Sequence, residues 1–310
     1  MYEQIAKNKH LSYLLIVVVT ALLIVLGYAI GMAIGIGWFG LVIALAIAVA
    51  MGLAGYYQGD KMVLAVSHAR PVSHDDAPQL YNVVEEMAIA SGNPVPALYI
   101  INDAAPNAFA TGRDPAHSSI AVTSGLLEKM NREELQGVIA HEMSHVRNYD
   151  ILFATLVGIM VGAIALMADF FLRWSLFGGA RRSNDENSGA IGMILLVLAL
   201  VLAILAPIAA RLVQLAISRK RELLADASAV QLTRDPNGLA DALQKIADDH
   251  EVLAAANRAT AHLYIAQPIK KFEKRSRGLF DTHPPIQQRI EILRAMAHQG
   301  TAAAGQALPA

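Results

Sequence analysis

Two histidines four residues apart, with a glutamate beside the first, are the residues best suited to chemistry: His141-Glu142-Met143-Ser144-His145. On an α-helix, positions four apart share a face, one turn above the other. Both imidazoles can therefore reach a single metal ion. Glu142 stands at the same end, a carboxylate able to take a proton from water held there. Two neutral His ligands with such a carboxylate are the arrangement of zinc proteases. The five residues alone also fit an ordinary amphipathic helix with two histidines on its polar face. Their surroundings favour the metal. Asn131, three residues ahead of Glu134, is a variant capping box that starts a helix. No Pro or Gly interrupts the run from Val138 to Asn148. Val138, Ile139, Ala140 and Val146 make the neighbourhood apolar, and buried His and Glu require partners.

A zinc hydrolase needs a third protein ligand and an open position. The chain has no Cys, so that ligand must be a His or a carboxylate. Glu222, in Arg219-Lys220-Arg221-Glu222-Leu223-Leu224-Ala225-Asp226, is the best candidate. Asp226, one turn later, is placed to accept a hydrogen bond from the outer nitrogen of a coordinating His. A charged surface helix would explain the same stretch. Position favours the ligand: His145 lies six residues before the apolar run starting at Ile151, and Glu222 five residues after the run ending at Ile217. Each is then about 8–9 Å along a helix from an apolar run. Two membrane crossings return a chain to the side it left, so the stems of such a hairpin can meet.

The elements that position these residues are in part apolar enough for lipid. Of 310 residues, 55% are hydrophobic and 16% charged, against about a quarter charged in soluble domains. A net charge of −1 gives no nucleic-acid footprint. Four apolar runs, near 12–33, 37–57, 151–172 and 190–217, are each long enough for a crossing of about 20 residues. A cleaved leader is the rival reading of the first, but its apolar core exceeds the usual 7–15 residues, roughly judged. Core helices of a large soluble protein are the rival reading of the last two. Nine cations (Lys7, Lys9, Lys61, Arg70, Arg147, Arg211, Arg219, Lys220 and Arg221) flank one side, against three (Arg173, Arg181 and Arg182) on the other. This bias puts both termini and the His-Glu helix in the cytosol.

Outside the spans, 75–90 and 236–250 have helical spacing, and 284–298 reads as a further helix. Residues 97–101, 107–111 and 118–123 read as strands, with Gly112-Arg113-Asp114-Pro115 as the turn between the last two. A small sheet beside a metal helix can offer an edge to an extended peptide. It can equally be a structural meander.

Taken together, these features resemble the HtpX family of membrane metalloproteases, relatives of the CAAX prenyl endopeptidases. The resemblance rests on Asn107-Ala108-Phe109-Ala110-Thr111-Gly112, His141-Glu142-x-x-His145, Glu222-x-x-x-Asp226, Thr282-His283-Pro284-Pro285 and four apolar spans in the same order. It implies a gluzincin-like fold, cytosol-facing zinc, and degradation of misfolded or surplus membrane proteins, often under stress. By this resemblance His141, His145 and Glu222 are the zinc ligands and Glu142 the general base, with Asp226 behind a ligand. Asn107, Ala108, Phe109, Ala110 and Thr111 pair with substrate backbone. His283 approaches the scissile carbonyl oxygen, and Arg289 braces Asp226. His283 also reads simply as the residue before a helix opening at Pro284.

The expectation is a mainly α protein with a small β-sheet, about four transmembrane helices and a gluzincin-like zinc-protease domain. Residues 1–10 form a cytosolic tail and 11–57 the first two spans. Residues 58–150 carry the first part of the protease and 218–298 the second. Between them, 151–217 form a hairpin with a polar loop at 173–189, and 299–310 are a flexible tail. One Zn2+ per chain, polypeptide substrates and a bilayer, here the bacterial inner membrane, are its partners. The alternatives are a prenyl-protein (CAAX-type) endopeptidase and a non-enzymatic, zinc-stabilised membrane scaffold.

Overall fold

The computed structural model describes residues 6, 8–18, 21, 24, 28, 38–160, 162, 219–256, 260–266 and 284–306. The fourth expected span, the polar loop 173–189 and His283 lie outside the described residues, as do most of the first and half of the third span. Of the first, 8–18 is described and helical. Of the third, the helix Asp150–Met160 is described.

Eight named helices and four strands make up the rest. They are α1 (Phe39–Val66), α2 (Pro78–Ser91), α3 (Ser124–Lys129), α4 (Arg132–Arg147), α5 (Asp150–Met160), α6 (Arg219–Thr233), α7 (Pro236–Asp248) and α8 (Ile286–Gln306). The strands are β1 (Arg70–Pro71), β2 (Ala97–Ile101), β3 (Ala108–Asp114) and β4 (His117–Thr123). Mainly helical with a small mixed sheet, this architecture agrees with the expectation.

Helix α1 spans 28 residues, about 42 Å at 1.5 Å per residue, and exceeds the thickness of a bilayer core. Among the described residues it is the one helix long and apolar enough to cross a membrane. Phe39, Val42, Ile43, Leu45, Ile47 and Val49 on it are exposed. It runs on past Tyr57, where the apolar run was expected to end, to Val66. The continuation carries Val63 and Leu64 into the core, and it packs closely: a Cβ at Gly59 would lie 2.8 Å from Ile159 Cδ1 and 3.0 Å from Thr155 Cγ2 of α5. A small residue there lets the two helices approach.

The sheet order is β1-β2-β4-β3, with β2 and β4 parallel and the outer pairs antiparallel. Alternation along the strands separates two faces. Leu98, Ile100, Ala108, Ala110, Ile120 and Val122 join a core with α2, α4, α7 and α8. Ile101, Phe109 and Ala121 pack instead against Val63 and Leu64 at the foot of α1 and against Tyr264. The expected turn at 112–115 is displaced: Gly112 and Asp114 remain paired in the strand, with an irregularity between them. Gly112 takes φ +140, a conformation open chiefly to glycine. The strand therefore bulges without ending, and the turn falls at Pro115-Ala116. Helix α8 also extends beyond expectation, continuing through the alanines at 302–304 to Gln306, where residue types of high helix propensity support it.

Candidate metal centre

Helix α4 begins with the expected device. The Asn131 side chain accepts from Glu134 N at 2.9 Å, and the Glu134 carboxylate accepts from Asn131 N at 2.8 Å. Lys245 from α7 bonds the same carboxylate at 2.7 Å. A helix fixed at its start places His141 and His145 one turn apart on the face turned to α6. Their rings stand 4.8 Å apart at 83°, with the Nε2 atoms separated by 3.2 Å. Glu222 arrives from α6, its oxygens 3.7 Å from His141 Nε2 and 3.6 Å from His145 Nε2.

The three side chains fit a tetrahedral cation. Ligands about 2.0–2.1 Å from one metal stand about 3.3 Å apart, close to the separations seen. The ring tautomers agree. His141 Nδ1 lies 3.0 Å from Asp226 Oδ1, and His145 Nδ1 lies 3.0 Å from Asp150 Oδ2. With an Nδ1 proton given to its carboxylate, each ring would turn an Nε2 lone pair toward the same point. Lone pairs facing one another in a buried site require positive charge between them. His141, Glu142, Glu222 and Asp226 are all buried.

The electrostatics carry the same demand. Burial pushes the Glu142 carboxyl up to about 7; His145 opposes this and the Glu222 carboxylate adds to it. The Ala110 N–H donates to Glu142, while its Oε1 is buried without a hydrogen-bond partner among the described residues. Burial lowers His145, but the Asp150 hydrogen bond and the Glu222 carboxylate outweigh it and bring this ring up to about 9, so positive charge is favoured at its Nε2, carried by a proton or by a metal ion. For His141 burial wins, and its pKa falls. Burial would raise Asp226, yet Arg289 holds it at about 2. Acidic oxygens draw positive charge to this point, and a divalent cation answers that demand.

Arg289, itself 1% exposed, forks onto Asp226 at 2.9 and 2.7 Å and donates to Ile265 O at 2.9 Å. The 107–111 strand is divided. Asn107 Nδ2 donates to Ala266 O at 2.9 Å, and Ile265 N to Ala108 O at 2.9 Å. The Phe109 ring packs edge-on against Tyr264, and Thr111 bonds Thr155 at 2.8 Å. Ala110 is left to line the cleft, with Glu142, Ile151, Ala154, Leu263 and Ile265. The chain's own residues 265–266 therefore fill part of the edge expected for a peptide.

Sequence reasoning missed Asp150, the carboxylate on His145. It lies five residues beyond its partner, off the i+4 face, and reaches back because Tyr149 turns the chain at φ 58. An acidic residue at the start of an apolar helix was the available signal. It missed Arg221 in another way. Counted as a cation flanking the membrane, Arg221 is buried, with Nη1 3.5 Å from Asp150 Oδ1.

Comparison with known proteins gives the family of the chain. The profile of peptidase family M48 matches residues 74–297. A protease HtpX homolog of Caldanaerobacter subterraneus subsp. tengcongensis is 45% identical over 299 residues, covering 96% of this chain and 98% of that one. A second, from Lactobacillus helveticus, is 44% identical over 300 residues, covering 96% of this chain and all of its own length (100%). Among solved structures, Ste24p of S. mikatae has a TM-score of 0.49 at 16% identity, over 94% of this chain and 67% of that one. With a matching profile over most of its length and near full-length relatives of one kind, this chain belongs to peptidase family M48 and is a metalloprotease of the HtpX type.

Proposed function

We propose that this chain is a zinc endopeptidase that cleaves misfolded or surplus membrane proteins at the cytosolic surface of the bacterial inner membrane. The observation that carries the reading is the meeting of His141, His145 and Glu222, from helices on either side of the 151–217 segment, within 4.8 Å of one another beside buried Glu142. His141, His145 and Glu222 would hold the zinc, which would supply Lewis acidity toward a carbonyl oxygen and a water. Glu142, buried beside the ligands and oriented by a backbone N–H, would take the proton from the attacking water. It passes that proton to the leaving nitrogen. The Ala110 N–H orients the carboxylate while Asp226 and Asp150 hold the two rings. His283, by family resemblance, approaches the scissile carbonyl oxygen.

A substrate in this reading lies extended over β3 at Ala110, the member of the 107–111 strand that lines the cleft. Backbone pairing there carries weak sequence preference and selects unfolded segments, which can present a strand. Lipid contact is supported by the exposed apolar surface of α1. Four spans, with both termini and the centre cytosolic, fit the cation bias. Setting aside Lys9, which covers the Tyr149 ring at 4.1 Å, and buried Arg221 leaves seven cations against three.

Cleavage of an unfolded test protein by the purified full-length chain tests the reading. Activity should vanish with a chelator and return with zinc. Glu142→Gln should keep its zinc and lose about 100-fold or more in turnover. Cleavage that survives either treatment contradicts the assignment. Zinc binding without cleavage points to a scaffold, and cleavage confined to prenylated peptides to a CAAX-type enzyme.

A further inference from the structure

Asn8 is fully buried, although it stands on the 8–18 helical segment, at the start of the N-terminal apolar run. Its side chain touches three separate parts of the chain. Nδ2 donates to Asn148 O at 2.9 Å, at the end of α4, and to Asp150 Oδ1 at 2.6 Å, at the start of α5. Oδ1 accepts from Arg221 Nη1 of α6 at 3.0 Å. Only an amide offers both the donors and the acceptor this junction uses. Serving merely to pin a helix, Asn8 would need no more than the Asn148 carbonyl. Its remaining bonds reach residues that themselves adjoin the candidate ligands. Asp150 holds His145 Nδ1 at 3.0 Å through its other oxygen, and Arg221 directly precedes Glu222.

We propose that Asn8 and Asp150 form a positioning relay that sets the orientation of the His145 ring, making the foot of the N-terminal helix part of the metal centre. The relay rests on the proposed function, in which His141, His145 and Glu222 hold zinc. Asp150 can aim Oδ2 at His145 only while Oδ1 is fixed. Asn8 fixes it at hydrogen-bonding distance, whereas Arg221 reaches the same oxygen at 3.5 Å. Loss of the Asn8 amide frees the carboxylate to turn about its Cβ–Cγ bond, and the imidazole loses its fixed partner. Carboxylates behind metal-bound histidines govern affinity about 10–100-fold. Asn8 acts on His145 at one remove, so its effect has the same sign and a smaller size.

The test uses the full-length protein in detergent, carrying Glu142→Gln to prevent self-cleavage. Zinc transfer to a chromogenic chelator is timed, and the visible spectrum of the cobalt-substituted protein is recorded. Asp150→Ala should release zinc about 10–100-fold faster, and Asn8→Ala about 3–10-fold faster, in line with the range for outer-sphere carboxylates. Both should alter the cobalt bands, which report ligand geometry. Lys9→Ala, which removes the neighbouring contact to Tyr149, should leave release unchanged. A packing role alone would lower the melting temperature of Asn8→Ala while leaving its zinc release and cobalt spectrum as in the parent. That result overturns the relay and leaves the zinc enzyme standing. A parent protein that holds no zinc overturns both.

Discussion

A buried carboxylate and a buried guanidinium together decide how His141 is held. Asp226 gives one oxygen to the His141 ring and receives the Arg289 fork on both, and neither charge reaches solvent. Breaking such a pair leaves an uncompensated charge in the interior and costs about 3–5 kcal/mol. Arg289→Met should therefore lower the melting temperature sharply and reduce zinc content, measured by thermal unfolding and elemental analysis. A variant within about 1 kcal/mol of the parent would show that the fork holds nothing. At this scale the sequence was readable wherever partners share a helix face. His141 with His145, and Glu222 with Asp226, are i,i+4 pairs that spacing sets on one face, and their apolar surroundings and place beside the apolar runs favoured a metal over an ordinary polar face. Asp150 and Asn8 stood outside that rule, since one depends on a turn at Tyr149 and the other on a partner 142 positions away.

Between elements, Thr155 of α5 joins α1 to the sheet. It bonds Thr111 of β3 at 2.8 Å and lies against Gly59 of α1. Gly59→Leu would force a branched side chain into this seam, an overpacking of about 1–3 kcal/mol, visible as a lower melting temperature. An unchanged melting temperature would mean the helices part freely there. Tyr264 locks the other face of β3. Burial raises its hydroxyl to about 12, partly offset by Ser67 and Thr260. The neutral form is thus favoured in the folded state. The associated stability is complete below the unfolded value of about 10 and is lost as pH rises from there through about 12, up to about 3 kcal/mol over two units. Tyr264→Phe should lack this alkaline loss in thermal unfolding scans, and a Phe variant that tracks the parent from pH 9 to 12 would refute it. The three longer strands were legible from β-branched and aromatic runs. Their order was not, because parallel pairing of β2 with β4 and the two-residue β1 depend on partners distant in sequence. Residues 260–266 lack any period, yet residues 265 and 266 cover part of the edge of the sheet at Asn107 and Ala108.

At the scale of the whole chain, two stretches separated by the 151–217 segment build one core around the centre. Helix α4 comes from the first, and α6, α7 and α8 come from the second. This division was legible because apolar runs long enough for lipid stand out against a chain that is 16% charged. The fold's dependence on closing that long gap makes the meeting of Glu222 with the two histidines its most exacting feature. Zinc per chain, counted by elemental analysis in full-length Glu142→Gln and again with Glu222→Ala added, tests that meeting most directly. One zinc per chain in the first protein and little in the second is the expected result. Equal zinc in both would contradict a centre closed by Glu222.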